Sequence, residues 1–586
     1  MPHVVTQSCC ADASCVVACP VNCIHPAPGE PGFGEAEMLY VDAKSCVDCG
    51  ACVTACPADA IVPHTTLTAA QQPFLAINAE YFEVFPHKDR TPLALVHPQR
   101  RLTRTGPFRV AVVGAGPAGM YAADELLKHP EITVDVFDRL PTPYGLVRAG
   151  VAPDHQSTKQ VEKLFAQIES QPGFRYFLGV EVGKDVSHAE LTARYHAVVY
   201  TVGAASDRSL GIDGDDLPGS LSATDFVGWY NGHPDKQDLP VHLDAGSIPS
   251  ERVVLVGNGN VALDCARILA EDPERLAGTD IAAGPLAVLR DSAVREVVVL
   301  GRRGPGEAAF TVPELVGLMG HTGVNVVVDT GDLPIEEALA GGETTGARSS
   351  GELARPFVPS EGVTARSAET TARLLREIAG REVRPELRTI VLRFLSSPVR
   401  VLGEDRVTGV EVGRNRLRRD ENGVVRAVPT GETEVLETGM LLRAVGYKGL
   451  PVADLPYDAA TGTVPNERGR VLPGVYVAGW VKRGPNGFIG TNKSDAEETV
   501  EQLLDDLDAD RIPAPVGDTR EITAVVRSRQ PGMVDLAGWQ AIDREEKRRG
   551  AESGRPRVKI TDVEEMRGIA AKERKPRYAL GRRRQR

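Results

Sequence analysis

The 586-residue sequence lacks several features, and each absence excludes a class of protein. No apolar run approaches the ~20 residues that a membrane-spanning helix requires, so we predict no membrane span. The N-terminus has neither the basic nor the apolar segment that directs secretion, and we therefore expect a cytoplasmic protein. Acidic residues outnumber basic ones by 80 to 67. The sequence therefore lacks the broad basic surface that nucleic-acid binding needs, and we expect no nucleic-acid partner.

Cysteine is nearly absent outside one short segment. Nine of the ten cysteines lie between Cys9 and Cys56, and Cys265 is the exception. This concentration predicts metal or redox chemistry in a small N-terminal region. Disulfides are disfavoured in an intracellular chain, and paired zinc sites usually separate two C-x-x-C pairs by a spacer. Iron–sulfur ligation fits the spacings better than either alternative.

The cysteine spacing is typical of bacterial iron–sulfur proteins. One run, C-x-x-C-x-x-C-x-x-x-C followed by proline, begins at Cys46. The same spacing runs from Cys9 to Cys19, with Asp12 in its second position. In two-cluster ferredoxins the fourth cysteine of each run ligates the other cluster. One predicted 4Fe-4S cluster is therefore held by Cys46, Cys49, Cys52 and Cys19.

The second cluster is predicted to differ from the first. Its ligands would be Cys9, Cys15 and Cys56, with Asp12 standing where a fourth iron needs a ligand. A carboxylate is a harder and poorer ligand for that iron than a thiolate. We therefore expect a 3Fe-4S cluster, or a labile 4Fe-4S cluster that readily loses one iron.

Residues 1–86 resemble the seven-iron bacterial ferredoxins, which implies an α+β ferredoxin-like iron–sulfur domain. The interval between Cys9 and Cys15 is shorter than is common in that family, so the ligand is either Cys9 or its neighbour Cys10. Cys10 and Cys23 lie outside both runs. We expect both to be free thiols packed near the clusters.

A glycine-rich turn between a predicted strand and a predicted helix indicates a first dinucleotide site. The strand Phe108–Val113 leads into Gly-Ala-Gly-Pro-Ala-Gly, and the next strand ends at an acid. Such glycines let the backbone approach a pyrophosphate at the helix N-terminus, and the acid accepts hydrogen bonds from a ribose diol. A purely structural turn is the alternative. The predicted binding residues are Gly114, Gly116, Gly119 and Asp138.

The same pattern recurs after a second predicted strand, Arg252–Val256, with Gly257, Asn258 and Gly259 in the turn. The following strand, Glu296–Leu300, ends not at an acid but at two arginines, Arg302 and Arg303. Arginine matches a phosphate bidentately and is always charged, so this site should prefer NADP over NAD. An ordinary solvated surface is the alternative reading of the two arginines.

Two sites of opposite charge imply two dinucleotides, with FAD in the first and NADP(H) in the second. No C-x-x-C lies near either site, which excludes disulfide reductase chemistry. Cys265 stands alone in a predicted helix. We expect it to pack as a small apolar side chain.

Residues 107–560 resemble the adrenodoxin-reductase family of ferredoxin–NADP reductases. Together with the N-terminal module, the chain resembles the ferredoxin/ferredoxin–NADP reductase fusions of actinobacteria. The segments that carry the resemblance are Leu140–His155, Gly257–Asp264, Gly301–Pro305 and Ala478–Pro485.

The resemblance implies an α/β fold with two Rossmann-like, doubly wound dinucleotide-binding domains of the glutathione-reductase type. A discontinuous FAD-binding domain (107–210 and 440–560) would enclose an NADP-binding domain (211–439). It would follow a ferredoxin domain (1–86). Residues 87–106 mix charged residues with proline and show no periodicity, so we predict a linker there. We also expect a surface insertion at 338–366 and a basic tail at 561–586.

The resemblance also implies individual binding residues. For FAD these are Ala118, Asp138, Leu146 and Val182, with Trp480, Gly487, Phe488 and Ile489 at the flavin ring. For NADP they are Asn258, Gly259, Asn260, Val261, Arg302, Arg303, Glu314 and Gly487. The chain departs from the family at Asp138, where glutamate is usual, and at Val316-Gly317, where Arg-Glu often follows. His155 is expected either near the nicotinamide or as a structural histidine.

The activity implied is that of a ferredoxin–NADP(+) reductase. A hydride would pass from NADPH to FAD, and single electrons would then pass through the clusters to an external redox partner. That partner could be a free ferredoxin, a haem-thiolate monooxygenase or another reductase. Two alternatives are an electron-input subunit like the small subunit of glutamate synthase, and a redox sensor that responds through the Asp12 site.

Overall fold

The computed structural model describes residues 2–86, 99–248, 250–331, 333–340, 361–419 and 425–573. They form an N-terminal body, two bodies built on six-stranded sheets, and a C-terminal group of helices. Within this described part, no helix combines the length and the apolar character needed to cross a membrane.

The N-terminal body (2–86) is small and contains two short strand pairs. The antiparallel pairs are His3–Val5 with Ile61–Pro63, and Ile24–His25 with Tyr40–Val41. Asn78 joins the pairs, because its side-chain oxygen accepts the Val5 and Val41 amides at 3.2 and 3.0 Å. The helices of this body are Ser14–Ala18, Ala51–Ala55 and Pro73–Val84, with 3-10 turns at His64–Thr66 and Ala69–Gln71.

The first sheet surrounds the first glycine-rich turn. Its edge pair is antiparallel and its other neighbouring strands are parallel. In spatial order the strands are Arg470–Leu472, Val475–Val477, Ala197–Tyr200, Phe108–Val113, Ile132–Asp138 and Phe174–Leu178. The flanking helices include Pro117–Leu127, Glu162–Glu169 and Thr491–Asp508.

The second sheet surrounds the second turn and is parallel throughout. In spatial order its strands are Ser220–Ser222, Met440–Arg443, Arg252–Val256, Glu296–Leu300, Arg388–Arg393 and Val324–Asp329. Its flanking helices include Ala223–Tyr230, Asn260–Ala270, Val312–Met319 and Glu361–Ala379.

The remaining elements connect or cover these sheets. A three-stranded antiparallel sheet consists of Ser396–Leu402, Gly409–Arg419 and Val425–Glu437, and Ser206–Asp207 pairs with Tyr447–Lys448 where the chain passes between the two large sheets. The other helices are Leu146–Ala149, Gln156–Lys159, His188–Thr192, Pro273–Leu276, Ala283–Arg290, Ile335–Ala340, Trp480–Arg483, Thr519–Arg529, Leu536–Glu552 and Val563–Glu573, with 3-10 turns at Pro234–Lys236 and Pro305–Glu307.

The predicted strands Phe108–Val113, Arg252–Val256 and Glu296–Leu300 are confirmed residue for residue. The glycine-rich turns predict helices from Met120 and from Leu263, and the two helices begin three residues earlier, at Pro117 and Asn260. Each helix starts directly after the second glycine of its turn. Proline suits the first helical position, since its missing N–H has no intrahelical partner there.

The described part of the expected linker is attached to the first sheet's body. Arg100 forms ion pairs with Asp505 and Asp508 at 2.6 and 2.7 Å. Residues 87–98 and most of the expected insertion lie outside the described residues. The expected basic tail contains a packed helix, Val563–Glu573, with Met566 and Ala570 buried, and its last thirteen residues are also outside the described part.

The N-terminal body packs tightly on the second sheet's body. Buried apolar residues of both bodies form one continuous cluster, which includes Phe74 and Tyr81 on one side and Leu315 and Leu318 on the other. Glu37 also accepts the Val312 amide at 2.8 Å. The N-terminal body is therefore held to the second sheet's body by apolar packing as well as by the chain.

Candidate functional site

Four cysteines predicted to share a cluster lie around one cavity of the N-terminal body. Cys19, Cys46, Cys49 and Cys52 line this space together with Cys23. The Cys19 and Cys23 sulfurs are 3.4 Å apart. The hydrogen bond from Cys23 lowers the pKa of the Cys19 thiol to about 5, which favours the thiolate form that binds metal.

The other predicted ligands are Cys9, Cys15 and Cys56, with Asp12 beside them in the sequence pattern. Burial raises the pKa of Cys15, and the charges of Cys9, Asp12, Cys56 and Cys52 raise it further. Backbone amides point at two of the sulfurs, from Leu39 to Cys9 at 3.5 Å and from Ala60 to Cys56 at 3.3 Å. The Asp12 carboxylate accepts hydrogen bonds from the amide and the hydroxyl of Ser14.

The two cysteine groups suit iron–sulfur clusters. All ten cysteines lie in the described residues, and none of them forms a disulfide. Burial raises the pKa of Cys9 and of Cys52 to about 11, so both would stay protonated at neutral pH without a nearby cation. A coordinated metal ion removes that proton. Cys265 lies fully buried in the helix Asn260–Ala270, away from both groups.

The first nucleotide turn, Gly114–Gly119, needs each of its glycines for a different reason. Gly114 has φ +112°, and a Cβ there would meet the Thr201 carbonyl oxygen at 2.6 Å. A Cβ on Gly119 would overlap the Gly114 carbonyl, so this glycine allows the helix to pack on the strand. A Cβ on Gly116 would approach only the Gly145 Cα, at 4.0 Å. The turn therefore offers open space above Gly116, where a pyrophosphate fits.

Asp138 lies at the end of its strand beside this turn. Its carboxylate oxygens accept the Ala115 amide at 2.8 Å and the Leu140 amide at 2.9 Å. Burial raises the pKa of Asp138. These two hydrogen bonds hold the turn in shape. Because each carboxylate oxygen has two lone pairs, Asp138 can still accept a hydrogen bond from a ribose hydroxyl.

The other residues expected near FAD lie around the same turn. Leu146 is 38% exposed and follows Gly145, which faces Gly116 across the turn. Val182 forms a bridge with Val186 and is partly buried at the edge of the first sheet's core.

The segment expected at the flavin ring approaches the first turn from the other side. Gly479 has φ +77°, and a Cβ there would lie 2.6 Å from the Cβ of Ala118. The next residue, Trp480, donates its indole N–H to the Asn486 carbonyl at 3.1 Å and lies 5.1 Å from the Tyr447 ring.

Gly487, Phe488 and Ile489 continue this segment to the helix Thr491–Asp508. Gly487 has φ +81° and contacts the Thr491 side chain closely. The Phe488 amide donates to the Thr491 hydroxyl at 2.9 Å, and Ile489 packs against the first sheet's core. The structure therefore groups these residues at the start of one helix.

The second nucleotide turn, Gly257–Ala262, repeats the arrangement of the first. Gly257 has φ +109° and packs against the Ala444 carbonyl, whereas a Cβ on Gly259 would meet no atom within 4 Å. Asn260 accepts the Thr311 amide at 2.9 Å, and Val261 is partly buried in the adjoining core. The open space above Gly259 suits a second pyrophosphate.

Arg302 and Arg303 follow the strand Glu296–Leu300 at the edge next to this turn. Asn258 lies against Gly301, since a Cβ on that glycine would be 2.6 Å from the Asn258 amide nitrogen. The Arg302 carbonyl accepts the Asn415 side-chain amide at 2.9 Å, and the Arg303 carbonyl accepts the Leu395 amide at 3.0 Å. The backbone of both arginines is therefore fixed at the strand end next to the turn, and Arg302 is exposed.

Glu314 and His155 meet in a charged cluster that sequence reasoning missed. The fully buried Arg267 contacts Asp154 at 2.5 Å, Asp264 at 2.5 Å and His155 at 3.0 Å, and lies 3.7 Å from Glu314. Burial raises the pKa of Glu314, whereas the opposing His155 and Arg267 charges lower it. Asp264 and Arg267 stand three residues apart on one face of the helix Asn260–Ala270, and this spacing of opposite charges is the sequence signal for the cluster.

The N-terminal body reaches this cluster through Gln7. Its side-chain nitrogen lies 3.5 Å from Glu314 and 3.5 Å from His155. A Cβ on Gly317 would overlap the Gln7 side chain. The Val316-Gly317 sequence therefore makes room for the N-terminal body at this position.

Comparisons with known proteins agree with this arrangement. A family model described as pyridine nucleotide-disulphide oxidoreductase matches residues 108–282, and a 4Fe-4S binding domain model matches residues 39–62. A probable ferredoxin/ferredoxin–NADP reductase of Mycobacterium tuberculosis is 49% identical, over 100% of this chain and 97% of that relative.

Two further comparisons concern a shorter relative. NADPH-ferredoxin reductase FprA of Mycobacterium tuberculosis is 43% identical, over 78% of this chain and 98% of that relative. A solved structure of FprA in complex with NADPH is 42% identical, with a TM-score of 0.71, and the match covers 79% of this chain and 100% of that one.

Proposed function

The chain belongs to the ferredoxin/ferredoxin–NADP reductase family, and from this premise we propose how its residues divide the reaction. It is an NADP-dependent oxidoreductase of the adrenodoxin-reductase type with a fused 4Fe-4S module. We propose that the fused module takes electrons from the reductase within the same chain. The observation that carries this proposal is the packing of the N-terminal body against the helix Val312–Met319 and against Gly490, at the start of the helix Thr491–Asp508.

We propose that FAD binds at the first turn. The open space above Gly116 would receive the pyrophosphate, and Asp138 would accept a ribose hydroxyl. Ala118, Leu146 and Val182 would complete the adenosine side. Trp480, Gly487, Phe488 and Ile489 would surround the flavin ring.

NADP(H) would bind at the second turn. The space above Gly259 would receive its pyrophosphate, and Asn258, Asn260 and Val261 would line the approach. Arg302 and Arg303 would bind the 2′-phosphate as a charged, bidentate pair. Glu314 would lie on the nicotinamide side, held there by Arg267 and His155.

The protein's part in the reaction is to bind, orient and exclude water. When bound, FAD supplies the conversion between a two-electron hydride and single electrons. Gly479 lets the Trp480 segment approach the first turn, and Thr491 fixes Phe488. Arg267 keeps Asp154 ionised, because its charge and hydrogen bonds lower the Asp154 pKa below its usual range although burial alone would raise it.

We propose two clusters in the N-terminal body. Cys19, Cys46, Cys49 and Cys52 would hold a 4Fe-4S cluster. Cys9, Cys15 and Cys56 would hold a 3Fe-4S or labile 4Fe-4S cluster beside Asp12. Cys9 is favoured over Cys10 as the ligand because it occupies the first position of a run with the same spacing as the run that begins at Cys46.

The external acceptor is a one-electron redox protein, and we propose a free ferredoxin or a haem-thiolate monooxygenase system. Holding the internal acceptor in the same chain raises its effective concentration to about the millimolar range.

A comparison of two artificial acceptors tests this assignment. Ferricyanide can take electrons from the flavin directly, whereas cytochrome c reduction should depend on the clusters. Replacing Cys49 with serine should lower NADPH-driven cytochrome c reduction and leave ferricyanide reduction close to that of the unaltered protein. Cys265→Ser is the matched control, since Cys265 lies in neither group. Equal loss of both activities, or loss of neither, would contradict the proposed path.

A further inference from the structure

The Asp12 loop, residues 10–14, contacts the start of the helix Thr491–Asp508. The Gly490 amide donates a hydrogen bond to the Cys10 carbonyl at 2.7 Å. Gly490 directly follows Phe488 and Ile489, the residues proposed at the flavin ring. The loop between the proposed ligands Cys9 and Cys15 therefore touches the segment that follows the residues proposed at the flavin ring.

The contact with the Asp12 loop requires a glycine at position 490, whereas the backbone conformation there does not. Its φ is −68°, which any residue adopts. A Cβ at this position would lie 2.3 Å from the Asp12 amide nitrogen and 2.4 Å from the Ala11 carbonyl carbon. Ordinary contacts between heavy atoms lie near 3.5 Å, so any side chain here would push the two segments apart by about 1 Å.

Lys493 adds a second contact on the same helix. Its ammonium group donates to the Asp12 carbonyl at 3.3 Å and to the Ser14 hydroxyl at 3.2 Å, and lies 3.9 Å from the Asp12 carboxylate. The Asp12 loop also lies near the helix of the first nucleotide turn. There, burial raises the pKa of Tyr121, and the charges of Cys10 and Asp12 raise it further.

The other cysteine group opens towards solvent. Cys49 is exposed, and its neighbour Val47 is 58% exposed. Asp48, between them, forms an ion pair with His3 of the N-terminal body at 3.0 Å. This group therefore has the exposure that transfer to an external protein needs.

We infer that the Asp12 site is the flavin-facing site of the two, and that Gly490 and Lys493 are the positioning residues that hold it there. Electrons then pass from the flavin to the Asp12 site, on to the group containing Cys49, and out to the external partner. The inference rests on the proposed binding of FAD at the first turn. Each hydride from NADPH brings two electrons, which leave in two single transfers to two oxidising equivalents of the external protein, while the proton of NADPH oxidation is released to solvent.

The test uses the full-length holoprotein and separates two steps in a single turnover. In Gly490→Ala, NADPH should bleach the flavin at the unaltered rate, because Gly490 belongs to neither nucleotide turn. Reduction of the clusters should then slow several-fold, because the rate of electron transfer falls as the distance between donor and acceptor grows. Gly284→Ala is the matched control, since a Cβ there meets no atom within 4 Å.

A spectroscopic readout accompanies the rates. A one-electron-reduced flavin relaxes faster in EPR when a paramagnetic cluster lies close to it. Its half-saturation power should therefore fall in Gly490→Ala and stay unchanged in Gly284→Ala. Lys493→Gln should likewise slow reduction of the clusters and lower the half-saturation power of the flavin signal. Lys493→Arg keeps the positive charge, so both quantities should stay close to those of the unaltered protein. This second pair of variants keeps the test decisive if Gly490→Ala does not fold.

The outcomes separate this inference from the proposed function. Unchanged cluster reduction and unchanged flavin relaxation in Gly490→Ala and Lys493→Gln would overturn the inference alone. Failure of NADPH to bleach the flavin of the unaltered protein would instead overturn the proposed function.

Discussion

Replacing Arg302 and Arg303 with alanine should convert the enzyme from one that selects NADPH into one that scarcely distinguishes NADPH from NADH. The structure fixes the backbone of both residues through Asn415 and Leu395, so both are held at the strand end next to the second turn. Each charged hydrogen bond lost to the 2′-phosphate should cost about 1.5–3 kcal/mol.

The two losses together should reach about 3–6 kcal/mol, and kcat/KM for NADPH should therefore fall by about 10²- to 10⁴-fold, at tenfold for each 1.4 kcal/mol. The loss should appear in KM, because the phosphate lies far from the reacting carbon and is bound equally before and during hydride transfer. The value for NADH should change little, since NADH carries no 2′-phosphate.

The assay is steady-state ferricyanide reduction with each nucleotide, which avoids any dependence on the clusters. Arg520→Ala serves as the control, because Arg520 is an exposed arginine paired with Asp518. If the double variant loses NADPH and NADH activity by the same factor, the two arginines are ordinary surface residues and the assignment of the second site is wrong.

Three further predictions follow from other parts of the molecule. The protein isolated in air should show the EPR signal of an oxidised 3Fe-4S cluster, and Asp12→Cys should replace it with a stable 4Fe-4S site; two 4Fe-4S clusters that survive oxidation would contradict this. Burial raises the pKa of Glu169 from its usual 4.5 to about 7, so the folded state holds its proton more tightly than the unfolded state and stability falls as pH rises through this range. Glu169→Gln should remove this fall in the free energy of unfolding, which is worth about 3 kcal/mol. Urea-unfolding curves of the unaltered protein that coincide across that pH range would refute the prediction. A chain of residues 99–586 should fold, bind FAD and reduce ferricyanide. It should be less soluble than the whole protein, because removing the N-terminal body exposes an apolar contact surface. A soluble product that reduces cytochrome c at the full rate would count against the cluster path.

The parts of the fold and site that sequence could predict are local ones. The strands and glycines of each nucleotide turn are set by neighbouring residues, and their order is fixed by short steps along the chain. The spacing of cysteines within each run is equally local. Cys19, Cys46, Cys49 and Cys52 line one space of the N-terminal body.

The parts that sequence could not predict depend on contacts between distant residues. The sequence around Gly490 does not indicate its contact with the Asp12 loop, which lies about 480 residues earlier in the chain. The Val316-Gly317 departure had no explanation until Gln7 was found beside it. Arg100 was assigned to a linker because its segment shows no periodicity, yet charge pairs hold it to a helix some 400 residues away.

The most direct test of the account is the rate at which NADPH reduces the clusters at different protein concentrations. In an anaerobic stopped-flow experiment, excess NADPH should first bleach the flavin and then reduce the clusters. If electrons pass within one chain, the second phase should be first-order with a rate constant independent of protein concentration. A rate constant that rises in proportion to protein concentration would mean transfer between molecules and would contradict the account.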